Sequence, residues 1–316
     1  MRVLFAASAA IAAPCLQALS SEGGGGAILA GVLTKADSPK GRGGRLSPTE
    51  IALAAQALPG GLPVLKPAVL DGAAMAQVAA LKPDILVSFA YGKIFQPDFL
   101  SLFPYGGINV HPSLLPKYRG PSPIQAAILN RDAETGLSIQ YLAAEVDSGD
   151  ILFQDALKLD GRETAASLSQ VMAEKAAAAL PALLRRIAAG EAAAAAQNHS
   201  EATYCRTISS EQARINWGEG AAVIDAQIRA FDPWPPCWTL HQGRKLFILK
   251  AQALSQDGQS PGGAGLVLGA KAGLGILIQT GDGILAAQSL QFDAKKALEW
   301  RAFLNGARNF TGSTLG

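Results

Sequence analysis

Hydrophobic positions in the first half of the chain come in short continuous runs, at 2–7, 27–34, 63–65, 85–89, 107–111 and 137–141. Runs of this length without alternation predict strands buried on both faces, as in a parallel sheet covered by helices. Asp84-Ile85-Leu86-Val87-Ser88-Phe89 is typical: an acid at the start, then an apolar run the length of a central strand. Helices are predicted between the runs, around 13–21, 48–57, 71–81 and 121–130. A long alanine-rich helix is expected from 164 to 189, opened by Asp160-Gly161-Arg162-Glu163 and closed by Gly190. The low-complexity stretch after it, 190–203, reads as a linker, with a continued helix as the other reading of its alanines.

From about Tyr204 the texture changes. Runs at 245–251, 265–268, 275–279 and 284–290 alternate with glycine-rich turns such as Ser260-Pro261-Gly262-Gly263 and Gly281-Asp282-Gly283. Short strands at this spacing predict a small barrel or sandwich. A length of 316 residues suits two domains: an α/β domain over 1–189, a linker over 190–203, and a mostly β domain over 204–316.

Composition removes several function classes. With 49% apolar and 16% charged residues the chain has the balance of a globular protein. A net charge of +2 carries no global basic excess, so a nucleic-acid role must rest on a local patch. Cys15, Cys205 and Cys237 have no CxxC spacing, which excludes a disulfide scaffold and a Cys-rich zinc site. With His111, His199 and His241 the only histidines, a multi-histidine metal centre is not expected either. Residues 1–14 read as a secretory signal or as a buried first strand; the single Arg2 and the early Pro14 favour the strand. No other stretch has the ~18 uninterrupted apolar residues of a membrane span, and a cytoplasmic location is expected.

The glycines do not make a nucleotide site. A dinucleotide fold needs Gly-x-Gly-x-x-Gly directly after the first strand, and here that turn reads Ala6-Ala7-Ser8-Ala9-Ala10. Gly41-Arg42-Gly43-Gly44 lies in a polar loop with no strand leading directly into it, and no P-loop lysine motif occurs.

Candidate chemistry concentrates at the fifth run. Asn109 and His111 are two residues apart on a predicted strand, so they share a face, and they stand at the carboxyl end where open parallel sheets bind ligands. Glu145-Val146-Asp147-Ser148-Gly149-Asp150 follows the next strand. An aspartate there can orient an imidazole, raise its pKa and hold a water; the alternative is that Asp147 and Asp150 only shape a turn around Gly149. Together, Asn109, His111 and Asp147 suit acyl transfer to an amine without a covalent enzyme intermediate, since amide and imidazole can stabilise an oxyanion. Neither a GxSxG elbow nor a cysteine beside a histidine suggests a nucleophile.

Asn109-Val110-His111-Pro112-Ser113-Leu114-Leu115-Pro116, followed by Tyr118-Arg119-Gly120, resembles the signature of folate-dependent formyltransferases, and Val146-Asp147-Ser148-Gly149-Asp150 resembles that family's second motif. The resemblance implies a Rossmann-like parallel-sheet formyltransferase domain with a C-terminal OB-like β-barrel. It places Asn109, His111 and Asp147 on the catalytic triad, and Ser113, Leu114, Leu115 and Pro116 on the loop that binds 10-formyltetrahydrofolate. Phe89-Ala90-Tyr91-Gly92 resembles the pterin-pocket loop, with Phe89, Tyr91 and Gly92 around the ring.

The formyl acceptor is implied by other segments. Residues 34–45, with Lys35, Lys40, Arg42 and Arg45 against Asp37, resemble the inserted basic loop of the branch that formylates methionyl-initiator tRNA; phosphate attraction suits such a loop. Glu211-Gln212-Ala213-Arg214-Ile215-Asn216-Trp217 and residues 228–235 resemble the start of that branch's C-terminal domain. The alternative acceptor is a nucleotide-linked (UDP) amino sugar, whose branch carries a related C-terminal domain. The expected enzyme is a metal-free monomer. One departure stands at the first turn, where Phe5-Ala6 is followed by Ala7-Ser8-Ala9 and that branch usually has Gly-Thr-Pro.

Overall fold

The computed structural model describes residues 1–21, 26–40, 44–254 and 262–316. The chain forms two compact units, one of residues 1–123, 134–158 and 169–206, the other of 124–133, 159–168 and 207–316.

In chain order the strands of the first unit are β1 (Arg2–Ala7), β2 (Ile28–Leu33), β3 (Ser38–Lys40), β4 (Arg45–Ser47), β5 (Val64–Leu65), β6 (Ile85–Phe89), β7 (Gly107–His111), β8 (Glu134–Tyr141) and β9 (Ile151–Lys158). Seven of them form one sheet in the order β5-β2-β1-β6-β7-β8-β9. Pairing is parallel from β5 through β7. The apolar runs are continuous because β1 and β6 are buried on both faces.

The sheet departs from an all-parallel one at its other side. Both β7–β8 and β8–β9 are antiparallel, so the end of β8 lies beside the start of β7, with Tyr141 opposite Ile108. The loop over 142–150 therefore does not lie beyond a neighbouring carboxyl end, as a parallel β8 would require. It folds back along the β7–β8 pair before β9 begins. β9 escaped notice in the sequence because most of its positions alternate between half-buried and exposed, with Gln154, Asp155 and Lys158 interrupting the apolar residues, unlike the central runs.

Helices α1 (Ala13–Ser20), α2 (Glu50–Gln56), α3 (Gly72–Ala80), α4 (Pro97–Leu100), α5 (Pro123–Leu129) and α6 (Ala165–Ala188) connect or follow these strands. Pro14 sits in the first turn of α1, where a missing N–H loses nothing. Side chains cap three starts: Thr49 accepts from Ala52 N–H at 3.1 Å, Asp71 from Ala74 N–H at 3.0 Å and Thr164 from Ser167 N–H at 3.2 Å. Since α6 ends at Ala188, the alanines of 192–196 do not continue it.

The second unit contains β10 (Trp238–His241), β11 (Arg244–Leu254), β12 (Val267–Lys271), β13 (Gly275–Gln279), β14 (Ile284–Phe292) and β15 (Leu298–Glu299), with α7 (Ala221–Ala230) and α8 (Trp300–Gly306). Its sheet is antiparallel, in the order β10-β11-β14-β13-β12, with β15 on β14. Inside it, Trp217 donates its indole N–H to the Thr239 hydroxyl at 3.0 Å, which satisfies both buried groups. Among the described residues no helix is long and apolar enough to cross a membrane, and no three potential metal ligands cluster.

Candidate active site

Parallel register brings three chain segments to one edge of the first sheet. Ala7 lies opposite Phe89 and Ser88 opposite Asn109, so the turn after β1, the loop after β6 and the loop after β7 all leave the same carboxyl edge. The departure at the first turn has a structural role there. Ser8 donates its N–H to Ala90 O at 3.2 Å and its hydroxyl to Tyr91 O at 3.2 Å, while accepting from Lys35 N–H at 3.3 Å. It ties the ends of β1, β2 and β6 together.

Asn109 and His111 share one face of β7, as their spacing requires, and Asp147 reaches them from the folded-back loop. Its Oδ1 accepts from Asn109 Nδ2 at 3.2 Å and from Gln140 Nε2 at 3.1 Å. Its Oδ2 accepts the Gly120 N–H at 2.8 Å and lies 3.5 Å from His111 Nδ1. Donors thus surround both carboxylate oxygens. Asp150 is exposed, so of the two acids only Asp147 joins the cluster.

The His111 ring is 5% exposed at its side chain, and its Nε2 lies 2.9 Å from Tyr118 O. A carbonyl can only accept, so Nε2 carries a proton. A carboxylate faces Nδ1, so the site provides an acceptor for a proton on each nitrogen. The Nε2–H is thereby engaged by the protein itself, while Asn109 Nδ2 has no second acceptor among the described residues.

Backbone strain gathers in the same loops. Ala90, Tyr118 and Asp147 have φ of +50°, +58° and +53°, a conformation unfavourable for residues with a β-carbon that tends to mark functional sites. Gly149 permits the Asp147 turn, because a β-carbon there would collide with the Tyr141 carbonyl.

The expected folate-loop residues divide by exposure. Ser113 and Leu115 are buried. The Ser113 hydroxyl donates to Lys117 O at 2.6 Å, and Leu115 N–H donates to the Ser138 hydroxyl at 3.0 Å. They shape the loop, while Leu114 and Pro116 remain partly exposed. Phe89 and Tyr91 are core residues, with Tyr91 stacked on Phe95 at 5.2 Å. Burial pushes the Tyr91 phenol up to about 12. Ala90 and Gly92, on either side of the buried Tyr91, are exposed.

The Lys35 ammonium lies against Gly92, where a β-carbon would otherwise stand. Lys40 and Arg45 are opposite each other in the backbone register of the β3–β4 hairpin. Arg42 falls outside the described residues. The sequence also left Gln140, Arg119 and Gln197 without a role. Arg119 stood in a motif that could have flagged it; Gln197, between Ala196 and Asn198, gave no signal.

Residues 1–184 match the model of the formyl transferase family, and residues 207–308 match that of the formyl transferase C-terminal domain. The chain is similar to a methionyl-tRNA formyltransferase of Treponema denticola, 41% identical over 98% of each chain. In three dimensions it resembles an N-formyltransferase from Helicobacter canadensis in complex with folinic acid and dTDP-3-aminofucose (18% identity, TM-score 0.64), covering 90% of this chain and 98% of that one. It also resembles the methionyl-tRNA formyltransferase from Clostridium thermocellum (16% identity, TM-score 0.57), covering 80% and 93%. At such identities the two structures speak for the fold alone.

Proposed function

This chain belongs to the formyl transferase family, and from that premise we propose that it transfers a formyl group from 10-formyltetrahydrofolate to the α-amino group of methionyl-initiator tRNA. Similarity over nearly the full length to a methionyl-tRNA formyltransferase supports the acceptor. The observation that carries the chemistry is that the Asp147 carboxylate gathers the other two side chains, lying 3.2 Å from Asn109 Nδ2 and 3.5 Å from His111 Nδ1.

The folate co-substrate supplies the formyl group. As the neutral amine adds to the formyl carbon, charge develops on its oxygen, and the free amide hydrogen of Asn109 is placed to meet it. His111, held between Tyr118 O and Asp147, is fixed beside that oxygen. Asp147, directly or through a water, accepts the proton released by the amine and returns it to the departing folate nitrogen. One C–N bond forms and one breaks, with no net change of protons on the enzyme. The exposed Ala90 and Gly92 and the partly exposed Leu114 and Pro116 supply the wall for the flat ring. In this reading residues 1–189 perform the chemistry, while 204–316 and the basic residues Lys35, Lys40, Arg42 and Arg45 hold the RNA.

The test compares acceptors. The purified full chain is incubated with formyl-labelled folate and either charged initiator tRNA or a UDP-amino sugar. Label is expected in the tRNA; label in the sugar alone overturns the assignment.

A further inference from the structure

Asp147 keeps its carboxylate on His111 from a loop whose backbone is left-handed at that residue, φ +53°. Such a conformation persists only where the surroundings over-determine it. We propose that Gln197, backed by Arg119, is a positioning residue for formyl transfer: it clamps the turn that carries Asp147. The proposal rests on the catalytic reading above and adds to it a residue from 190–203, the stretch whose composition suggests a mere connection.

Gln197 is buried. Its Nε2 donates toward Gly149 O at 2.7 Å, Asp147 O at 3.0 Å and Gln140 Oε1 at 3.0 Å. Its Oε1 accepts from Arg119 Nη2 at 2.7 Å and Nε at 3.1 Å. A guanidinium can only donate, so the amide oxygen must face Arg119 and the NH2 must face the loop. The side chain cannot turn round without opposing donor to donor.

Arg119 explains why this amide is held so firmly. It is 1% exposed, and no carboxylate pairs with it among the described residues. Its remaining contacts are His199 Nδ1 at 3.1 Å and the Tyr204 hydroxyl at 3.5 Å. A buried cation without a carboxylate partner is unfavourable unless its hydrogen bonds are met. Here they converge on the residue that grips the Asp147 turn, while the next residue, Gly120, donates its N–H to the Asp147 carboxylate. The segment is itself anchored on both sides of Gln197. Ala195 exchanges backbone hydrogen bonds with Ile151 at 2.8 and 2.9 Å, and Thr203 does so with Pro116 and Arg119 at 3.2 and 2.9 Å.

A network that only stabilised the fold would lower turnover by the same factor whether or not Asp147 is present. The test is a double-mutant cycle on the full chain with Gln197→Ala, Asp147→Ala and the pair, reading kcat and both KM values on the acceptor that the native chain formylates. Gln197→Ala alone is expected to lower kcat by about 10- to 100-fold, the scale of lost general acid–base positioning, with KM values within about threefold. In the Asp147→Ala background the same change is expected to matter less than about twofold, because residues acting as a unit are not additive. Equal factors in both backgrounds, or an unchanged kcat in the single variant, overturn the proposal. Where the alanine variant does not fold, Gln197→Met, of similar length and without hydrogen-bonding amide atoms, takes its place in the cycle. A native chain that formylates neither acceptor defeats the functional reading, and this proposal with it; a flat response at 197 in an active enzyme defeats this proposal alone.

Discussion

At Asp147 the two carboxylate oxygens accept from Asn109 Nδ2, Gln140 Nε2 and the Gly120 N–H. Asparagine has nearly the same shape but one NH2 in place of an oxygen. Whichever way that amide turns, it sets N–H against N–H and removes the acceptor for the amine's proton. Asp147→Asn is therefore expected to lose about 10²-fold or more in kcat, as removal of a general base does, despite its near-isosteric fit. Retention of a tenth or more of native turnover would remove Asp147 from the proton path. Asn109→Ala takes away the open donor and is expected to lose about 10²- to 10³-fold in kcat with little change in KM, the scale of one oxyanion-hole donor. A loss confined to KM would instead make Asn109 a binding residue.

At the scale of elements, the loop over 142–150 decides whether those side chains meet. Gly149→Ala drives a β-carbon into the Tyr141 carbonyl and is expected to destabilise the protein by about 1–3 kcal/mol, as overpacking does, while cutting turnover through Asp147. Asp71→Ala is the contrasting case. It removes the cap of α3, costs about 1 kcal/mol of thermal stability, and should leave kcat unchanged. The same loop marks the limit of what the sequence discloses. β1, β6, β7 and β13 are legible to the residue because their burial on both faces leaves continuous apolar runs. β8 was read over 137–141, but its antiparallel direction was not, since strand direction leaves no local trace; β9 was missed altogether. α7 was missed as well, because from 224 to 230 its buried Ile224, Ala226, Ile228 and Ala230 alternate with Asp225, Gln227 and Arg229, a strand-like period of two. Asn109, His111 and Asp147 were legible as chemistry. Gln197 was not, because its role depends wholly on where the chain returns.

At the scale of the molecule, the second unit carries its own signal. All four tryptophans, Trp217, Trp234, Trp238 and Trp300, lie within 207–316, so tryptophan fluorescence follows this unit alone. His241 is buried in it, edge-on to Phe310 at 4.9 Å, and its Nε2 has no hydrogen-bond partner among the described residues. Burial, and then the neighbouring Arg244, hold its folded pKa below the usual 6.5. In the unfolded chain the ring takes up a proton near 6.5. Between that value and the lower folded one the unfolded state binds more protons, so stability must rise with pH across this window. The contribution is complete above the unfolded pKa and is lost as acidification proceeds toward the folded one. His241→Phe keeps an aromatic ring beside Phe292 and Phe310 and removes the titration. Fluorescence-monitored melting from pH 7.5 to pH 5.5 should therefore show a smaller fall in midpoint for the variant than for the native chain. Carboxylates titrate alike in both proteins, so the difference between the two slopes isolates the imidazole. Equal slopes would mean that the ring is reached by water in the folded state and takes its proton there as easily as in the unfolded chain.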